Sequence, residues 1–212
     1  MTLSRRTVVA GLGLGALPLL AHAGALRPTP QETLGPYYPV RVPAAHDWDM
    51  TRLPGRAGRA AGQLIELSAR VLRTDGTPVP HARVEVWQAN AAGRYSHPLD
   101  RNPAPLDPNF EGIALLRTDS GGRFRIRTVK PGAYPDPSGG ERTPHIHFDV
   151  QADDYRLVTQ MYFPGEALNA TDILLSTMAA RHRDPGLAMA HALEARTEGV
   201  QAYAWEIVLL QR

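Results

Sequence analysis

The sequence predicts an all-β fold: a β-sandwich with an extended N-terminal arm and one short C-terminal helix. Three observations carry that expectation. Short β-prone runs recur along residues 64–210, turn signals separate them, and one stretch near the C-terminus has the start signals of a helix. A chain of 212 residues, 43% of them hydrophobic, can bury one core, so a single domain with appendages is expected.

Residues 1–23 read as a removable export signal. Ser4-Arg-Arg-Thr7 precedes an uncharged stretch from Val8 to Leu20, and Ala21-His-Ala23 supplies a small-x-small cleavage site. The apolar run falls short of the roughly 20 residues that span a bilayer. The paired arginines point to the twin-arginine route, a periplasmic destination and no membrane attachment of the mature chain. That route carries folded proteins, which suits a metal inserted before export.

Residues 24–62 are rich in Pro, Gly and Ala and have little periodicity, as expected of an extended arm laid over the domain of residues 63–212. The expected strands are Leu64–Leu72, Ala82–Gln88, Ile113–Arg117, Arg123–Thr128, His145–Gln151, Leu157–Phe163 and Tyr203–Leu210. In Arg83-Val-Glu-Val-Trp87 alternation puts Val84 and Val86 on one face and Arg83, Glu85 and Trp87 on the other. Asp75-Gly76 and Ser120-Gly-Gly122 suit tight turns. The helix is expected over Pro185–Arg196, with Asp184 as N-cap and Pro185 in the first helical position.

Charge and cysteine content narrow the chemistry. The net charge of +2 comes from Arg5 and Arg6, because without them 21 basic side chains face 21 acidic ones. A neutral body lacks the basic surplus of a nucleic-acid partner. With no cysteine, neither a disulfide nor thiolate ligation is available, so any metal must use His, Tyr, Asp or Glu.

Arg142-Thr-Pro-His-Ile-His-Phe148 is the most informative segment. Residues two apart on a strand share a face, so His145 and His147 stand side by side and can share a metal. A pair of hydrogen-bonded structural histidines satisfies the same pattern. Asp149 invites a two-histidine, one-carboxylate reading, but a rise of about 3.3 Å per residue puts it about 13 Å along the strand from His145. Anionic oxygen ligands must come from elsewhere. Tyr95 and Tyr134 each follow a glycine-containing turn, in Gly93-Arg-Tyr95 and Pro131-Gly-Ala-Tyr134, although half-buried sheet positions explain either tyrosine alone.

Five segments occur in order: Val84-Glu-Val-Trp-Gln-Ala-Asn-Ala-Ala-Gly-Arg-Tyr95, Leu106-Asp-Pro-Asn-Phe110, Thr128-Val-Lys-Pro-Gly-Ala-Tyr134, Arg142-Thr-Pro-His-Ile-His-Phe148 and Thr159-Gln-Met-Tyr-Phe163. Together, from about Thr33 to the C-terminus, they resemble the intradiol ring-cleavage dioxygenases, most of all the protocatechuate 3,4-dioxygenase branch. The resemblance implies a β-sandwich holding Fe(III) through Tyr95, Tyr134, His145 and His147, with Tyr95 and His145 equatorial and Tyr134 and His147 axial. It also implies that Tyr134 leaves the metal when substrate chelates. Arg142 then lines the pocket, Gln160 lies near it, and Pro36 and Tyr37 of Leu34-Gly-Pro-Tyr37 reach it from the arm. The implied substrates are a small aromatic diol and O2, and the implied product is a muconate-type diacid. Arm and metal set stand in one chain, which leaves both monomer and homo-oligomer open.

Two other readings make different demands. Leu67–Val86 also looks like a transthyretin-like binding module, which needs no iron. A zinc or iron(II) enzyme would use His145, His147 and a carboxylate, and would not need either tyrosine.

Overall fold

The computed structural model describes residues 25–41, 48–136, 139–153, 155–181 and 183–210. The expected export signal, residues 1–23, lies outside them. Two four-stranded sheets face each other in strand orders β4-β1-β10-β9 and β3-β2-β7-β8. The strands are β1 (Leu64–Arg73), β2 (Arg83–Trp87), β3 (Ile113–Arg117), β4 (Arg123–Val129), β5 (Tyr134–Pro135), β6 (Glu141–Arg142), β7 (His145–Ala152), β8 (Tyr155–Tyr162), β9 (His191–Leu193) and β10 (Val200–Leu209). β1 and β10 pair in parallel from Leu64↔Val200 to Arg73↔Leu209, whereas β2 and β7 pair antiparallel. The sandwich expected from the sequence is therefore the fold observed.

Alternation along each strand sends one set of side chains between the sheets. Ile65, Leu67, Ala69 and Val71 enter from β1, Val84 and Val86 from β2, Ile146, Phe148 and Val150 from β7, and Tyr203, Trp205, Ile207 and Leu209 from β10. Phe148 spans the layers, with its ring 5.2 Å from Trp205 and 6.2 Å from Phe124.

The opposite face of β2 and β7 is also buried, which plain alternation does not anticipate. Part of the cover comes from the arm. Leu26 donates its backbone N–H to Thr74, Thr29 to Val208 and Glu32 to Val158, and the Pro30 carbonyl accepts from Thr159 Oγ1. Tyr38 then packs edge-on against Trp87 and donates to Glu85 at 2.5 Å. These bonds draw the arm across the outer face of the second sheet, so Glu85 and Trp87 lie beneath it.

The helix expected over Pro185–Arg196 is not formed there. Asp184 caps Gly186 and Pro185 opens a turn, as expected, but that turn is a single 3-10 turn, Pro185–Ala188. The chain then becomes β9, because the edge of β10 offers Ala202, Tyr203 and Ala204 as ladder partners for Leu193, Ala192 and His191. Sheet pairing outweighs a weak local helical preference. The α-helix among the described residues is α1, Ile173–Ala180, capped by Asp172 and buried through Leu175 and Met178. No helix among those residues is long and apolar enough to cross a membrane.

Candidate metal centre

The two tyrosines meet because two glycine turns press together. Gly132 donates to the Asn90 carbonyl at 2.9 Å, docking the turn before Tyr134 onto the turn before Tyr95. A Cβ on Gly93 would lie 2.0 Å from the Ala133 carbonyl oxygen, and one on Gly132 would lie 2.6 Å from that of Ala91. Only glycine permits that approach. The Tyr95 backbone N–H is anchored on Asp100 at 2.7 Å, and the Tyr95 and Tyr134 rings stand edge to face with centroids 5.3 Å apart.

Gly93→Ala is accordingly expected to destabilise the protein in two ways. The alanine would occupy φ +78°, a conformation that costs about 1–2 kcal/mol for an L-residue, and its Cβ would collide with backbone. Gly76→Ala, at φ +83° with nothing within 4 Å, carries the conformational cost alone. Thermal unfolding should therefore rank Gly93→Ala clearly below Gly76→Ala.

His145 and His147 project from the covered face of β7, both buried. His145 Nδ1 lies 2.6 Å from the Thr143 carbonyl, which fixes the proton on Nδ1 and leaves the Nε2 lone pair free. His147 stacks on Trp87 with ring centroids 4.8 Å apart and planes 12° from parallel. The two Nε2 atoms are 3.2 Å apart, and Tyr134 Oη is 3.2 Å from His145 Nε2. Two imidazole nitrogens each about 2.1 Å from one metal ion, at an angle of about 100°, stand about 3.2 Å apart. Tyr95 Oη is buried and makes no hydrogen bond of good geometry among the described residues; its contact with the Tyr134 phenol is a loose one.

The electrostatics fit a cation at this point. Burial, reinforced by Arg142, pushes His145 down to about 3, and burial and His145 hold His147 well below the ordinary histidine range. Both rings are neutral and ready to donate lone pairs at neutral pH. Burial lifts Tyr95 well above its ordinary value and raises Tyr134 to about 12 against the lowering effect of Arg142. A cation that takes both as phenolates must therefore release two protons.

No group of three or more His, Cys, Asp or Glu among the described residues is placed to hold a metal ion, so no carboxylate completes a triad with the histidines. Asp149 is engaged by Arg156 at 2.8 Å and by Gln151 at 3.0 Å. Hard anionic donors in reach of the imidazoles are the two phenols.

Arg142 is buried beside this cluster. β5 and β6 pair Tyr134 with Arg142, which sets the guanidinium near the phenol. Its Nε donates to Asp172 Oδ2 at 2.8 Å and its Nη2 to Gln160 Oε1 at 2.7 Å. Gln160 lies opposite His147 in the ladder; its Oε1 accepts from Arg142 and from Tyr162 Oη, and its Nε2 is buried without a partner among the described residues. On the arm, a Cβ on Gly35 would lie 3.3 Å from His147 Cε1, and the Tyr37 ring lies 4.8 Å from that of Tyr95. Pro36, between them, is exposed. The structure thus gathers Tyr95, Tyr134, His145, His147, Arg142, Gln160 and Tyr37, and leaves Pro36 at the rim.

Sequence reasoning passed over Trp87, Thr143, Tyr162 and Asp172. Trp87 could have been found from its register opposite His147. Asp172 carried a readable signal, an N-cap aspartate just before the apolar run Ile173-Leu-Leu175.

Comparison with known proteins agrees with this geometry. Residues 33–211 match the dioxygenase family model. The chain is 42% identical over 187 residues to the protocatechuate 3,4-dioxygenase beta chain of Burkholderia cepacia, covering 86% of this chain and 79% of that protein. It is 30% identical over 194 residues to catechol 1,2-dioxygenase of Acinetobacter baylyi, covering 82% of this chain but only 60% of that protein. Among solved structures, the dioxygenase domain of a carbohydrate-binding fusion protein from Streptomyces sp. SirexAA-E superposes with a TM-score of 0.67 at 27% identity, covering 88% of this chain and all of that domain. The 3-chlorocatechol 1,2-dioxygenase of Rhodococcus opacus shares the fold at a TM-score of 0.67 and 22% identity, over 91% of this chain and 75% of that one. These relatives favour the enzyme reading over a transthyretin-like binding module. Two glycine turns, a histidine-bearing strand and matches across most of the chain agree in placing it in the intradiol ring-cleavage dioxygenase family.

Proposed function

We propose that the protein cleaves a catechol-type ring between its two hydroxyls, inserting both atoms of O2, with ferric iron held by Tyr95, Tyr134, His145 and His147. The observation that carries the reading is the convergence of two phenols and two neutral imidazoles at one buried point. Phenolates favour ferric over ferrous iron because they are hard anionic donors. Ferric iron held by these four side chains would supply Lewis acidity toward a catechol's two oxygens.

The surrounding side chains have separate tasks. Tyr134 Oη, whose hold on a proton burial raises, is suited to accept one from the incoming diol. Arg142 brings fixed positive charge to a water-poor site where negative charge develops, which is where such charge lowers barriers most. Gln160 Nε2 is a buried donor without a partner among the described residues, and the Tyr37 ring meets that of Tyr95 from the arm. The names of the relatives make catechol, protocatechuate and hydroxyquinol the candidate substrates. The arginine pair and apolar run at the N-terminus support action outside the cytoplasm, after twin-arginine export.

The test is optical and chemical. Protein loaded with ferric iron is expected to be coloured by phenolate-to-iron charge transfer. With one of these three catechol-type compounds it is expected to take up one O2 per ring and give a product heavier by two oxygen atoms. A protein that stays colourless after loading and consumes no oxygen with any of them would refute the proposal.

A further inference from the structure

Asp172 is fully buried, and its two oxygens do different work. Oδ1 caps α1 by accepting from the backbone N–H groups of Leu174 at 3.0 Å and Leu175 at 3.1 Å. Oδ2 accepts from Arg142 Nε at 2.8 Å and from the Thr143 backbone N–H at 3.1 Å. The next carbonyl along, that of Thr143, accepts from His145 Nδ1. One carboxylate therefore ties the start of α1 to the guanidinium beside the candidate centre and to the backbone N–H of Thr143, the residue whose carbonyl fixes the tautomer of a candidate ligand.

The rest of this region makes the tie rigid. Leu175 and Met178 of α1 pack with Tyr162, whose hydroxyl joins Arg142 and Gln160 in one network. Asn169, just before the cap, accepts from Thr143 Oγ1 at 2.8 Å and donates to the Phe163 carbonyl at 2.8 Å. Arg142 is thus held from both sides, by Asp172 and by Gln160.

We infer that Asp172 is a positioning residue: through Arg142 and the backbone of Thr143 it holds the charge and the histidine tautomer that ring cleavage uses, linking α1 to the site. This rests on the function proposed above. Only a residue accepting on both ends fits the arrangement. Asparagine caps a helix as well as aspartate does, but its amide end presents donors to Arg142 Nε and the Thr143 N–H. Asp172→Asn therefore keeps the cap and breaks the tie.

The experiment compares wild type, Asp172→Asn, Asp172→Glu, Arg142→Gln and the Asp172→Asn/Arg142→Gln double variant, all as the full iron-loaded chain. Asp172→Asn is expected to keep its iron and resting colour while kcat falls about 10- to 100-fold, the range for residues that support ligands from behind, with KM changing far less. Asp172→Glu should recover part of the loss. Residues acting as one unit give non-additive effects, so Asp172→Asn should cost less in the Arg142→Gln background than in wild type, the remainder passing through the Thr143 backbone. A double variant slower by the full Asp172→Asn factor, or a wild-type kcat in Asp172→Asn, overturns the inference. Should Asp172→Asn not fold, with its buried guanidinium unpaired, the metal-free His145 ring signals of Arg142→Gln against those of the double variant still decide, and unchanged signals overturn the inference. NMR of the metal-free protein separates this inference from the proposed function. Loss of the Asp172 tie should move the His145 ring signals without any metal, and unchanged signals overturn it even where wild type is coloured and active.

Discussion

The Tyr95→Phe protein will fold at least as stably as wild type when free of metal, and yet fail to retain ferric iron. The substitution removes one oxygen atom, buried and without a hydrogen-bond partner among the described residues. An unsatisfied buried hydroxyl costs about 1–3 kcal/mol, so its removal should leave the metal-free thermal midpoint unchanged or raise it by a few degrees. Iron content and the visible charge-transfer band should fall to background. Ring-cleaving activity should drop by more than the roughly 100-fold that marks the loss of an outer-shell partner. Tyr134→Phe should differ, because the Tyr134 hydroxyl contacts His145 Nε2 at 3.2 Å and its removal takes a contact from the metal-free protein. Metal analysis, absorption spectra and calorimetry of the metal-free forms would check both variants. A Tyr95→Phe protein with wild-type iron content would remove Tyr95 from the ligand set.

This expectation shows what the sequence could and could not reveal. The pairing of His145 with His147 is legible because a strand repeats every two residues, and the rise per residue sets Asp149 apart from His145 along the same strand. Asp149 instead pairs with Arg156. The meeting of Tyr95 with Tyr134 is not legible from spacing. It depends on two backbone turns approaching to a distance that only glycine allows, and the sequence marks the glycines without saying which backbones they admit. The burial of Glu85 and Trp87 escaped for a similar reason, since the arm that covers them is distant along the chain and has no periodicity of its own. The start signals at Asp184 and Pro185 are genuine, and they open a 3-10 turn rather than a helix running to Arg196. The free edge of β10 then claimed the following residues as β9. α1 was overlooked, although its N-cap Asp172 precedes a clear apolar run, and with it went the link from that helix to Arg142.

Phe148→Ala should produce the complementary result, a large loss of stability with the chemistry retained. β7 carries the candidate ligands on one face and Ile146, Phe148 and Val150 on the other, so the two properties are divided between adjacent residues. Phe148 is fully buried and bridges the sheets through Phe124 and Trp205, so its truncation leaves a cavity where the layers meet. Such changes cost about 3–5 kcal/mol, a large part of the roughly 5–15 kcal/mol that holds a domain folded. At about 2–4 °C per kcal/mol for a chain of this size, the midpoint should fall by about 6–20 °C. Iron binds the folded state alone, so loading should restore part of that loss. Well below its own midpoint, Phe148→Ala should turn over at close to the wild-type rate per bound iron, because no atom of the phenyl ring faces the donors. Loss of activity at a temperature where circular dichroism still shows an intact sandwich would mean that the core transmits its packing to His147. In that case β7 would be a single mechanical unit, and the division between its faces would hold for burial but not for function.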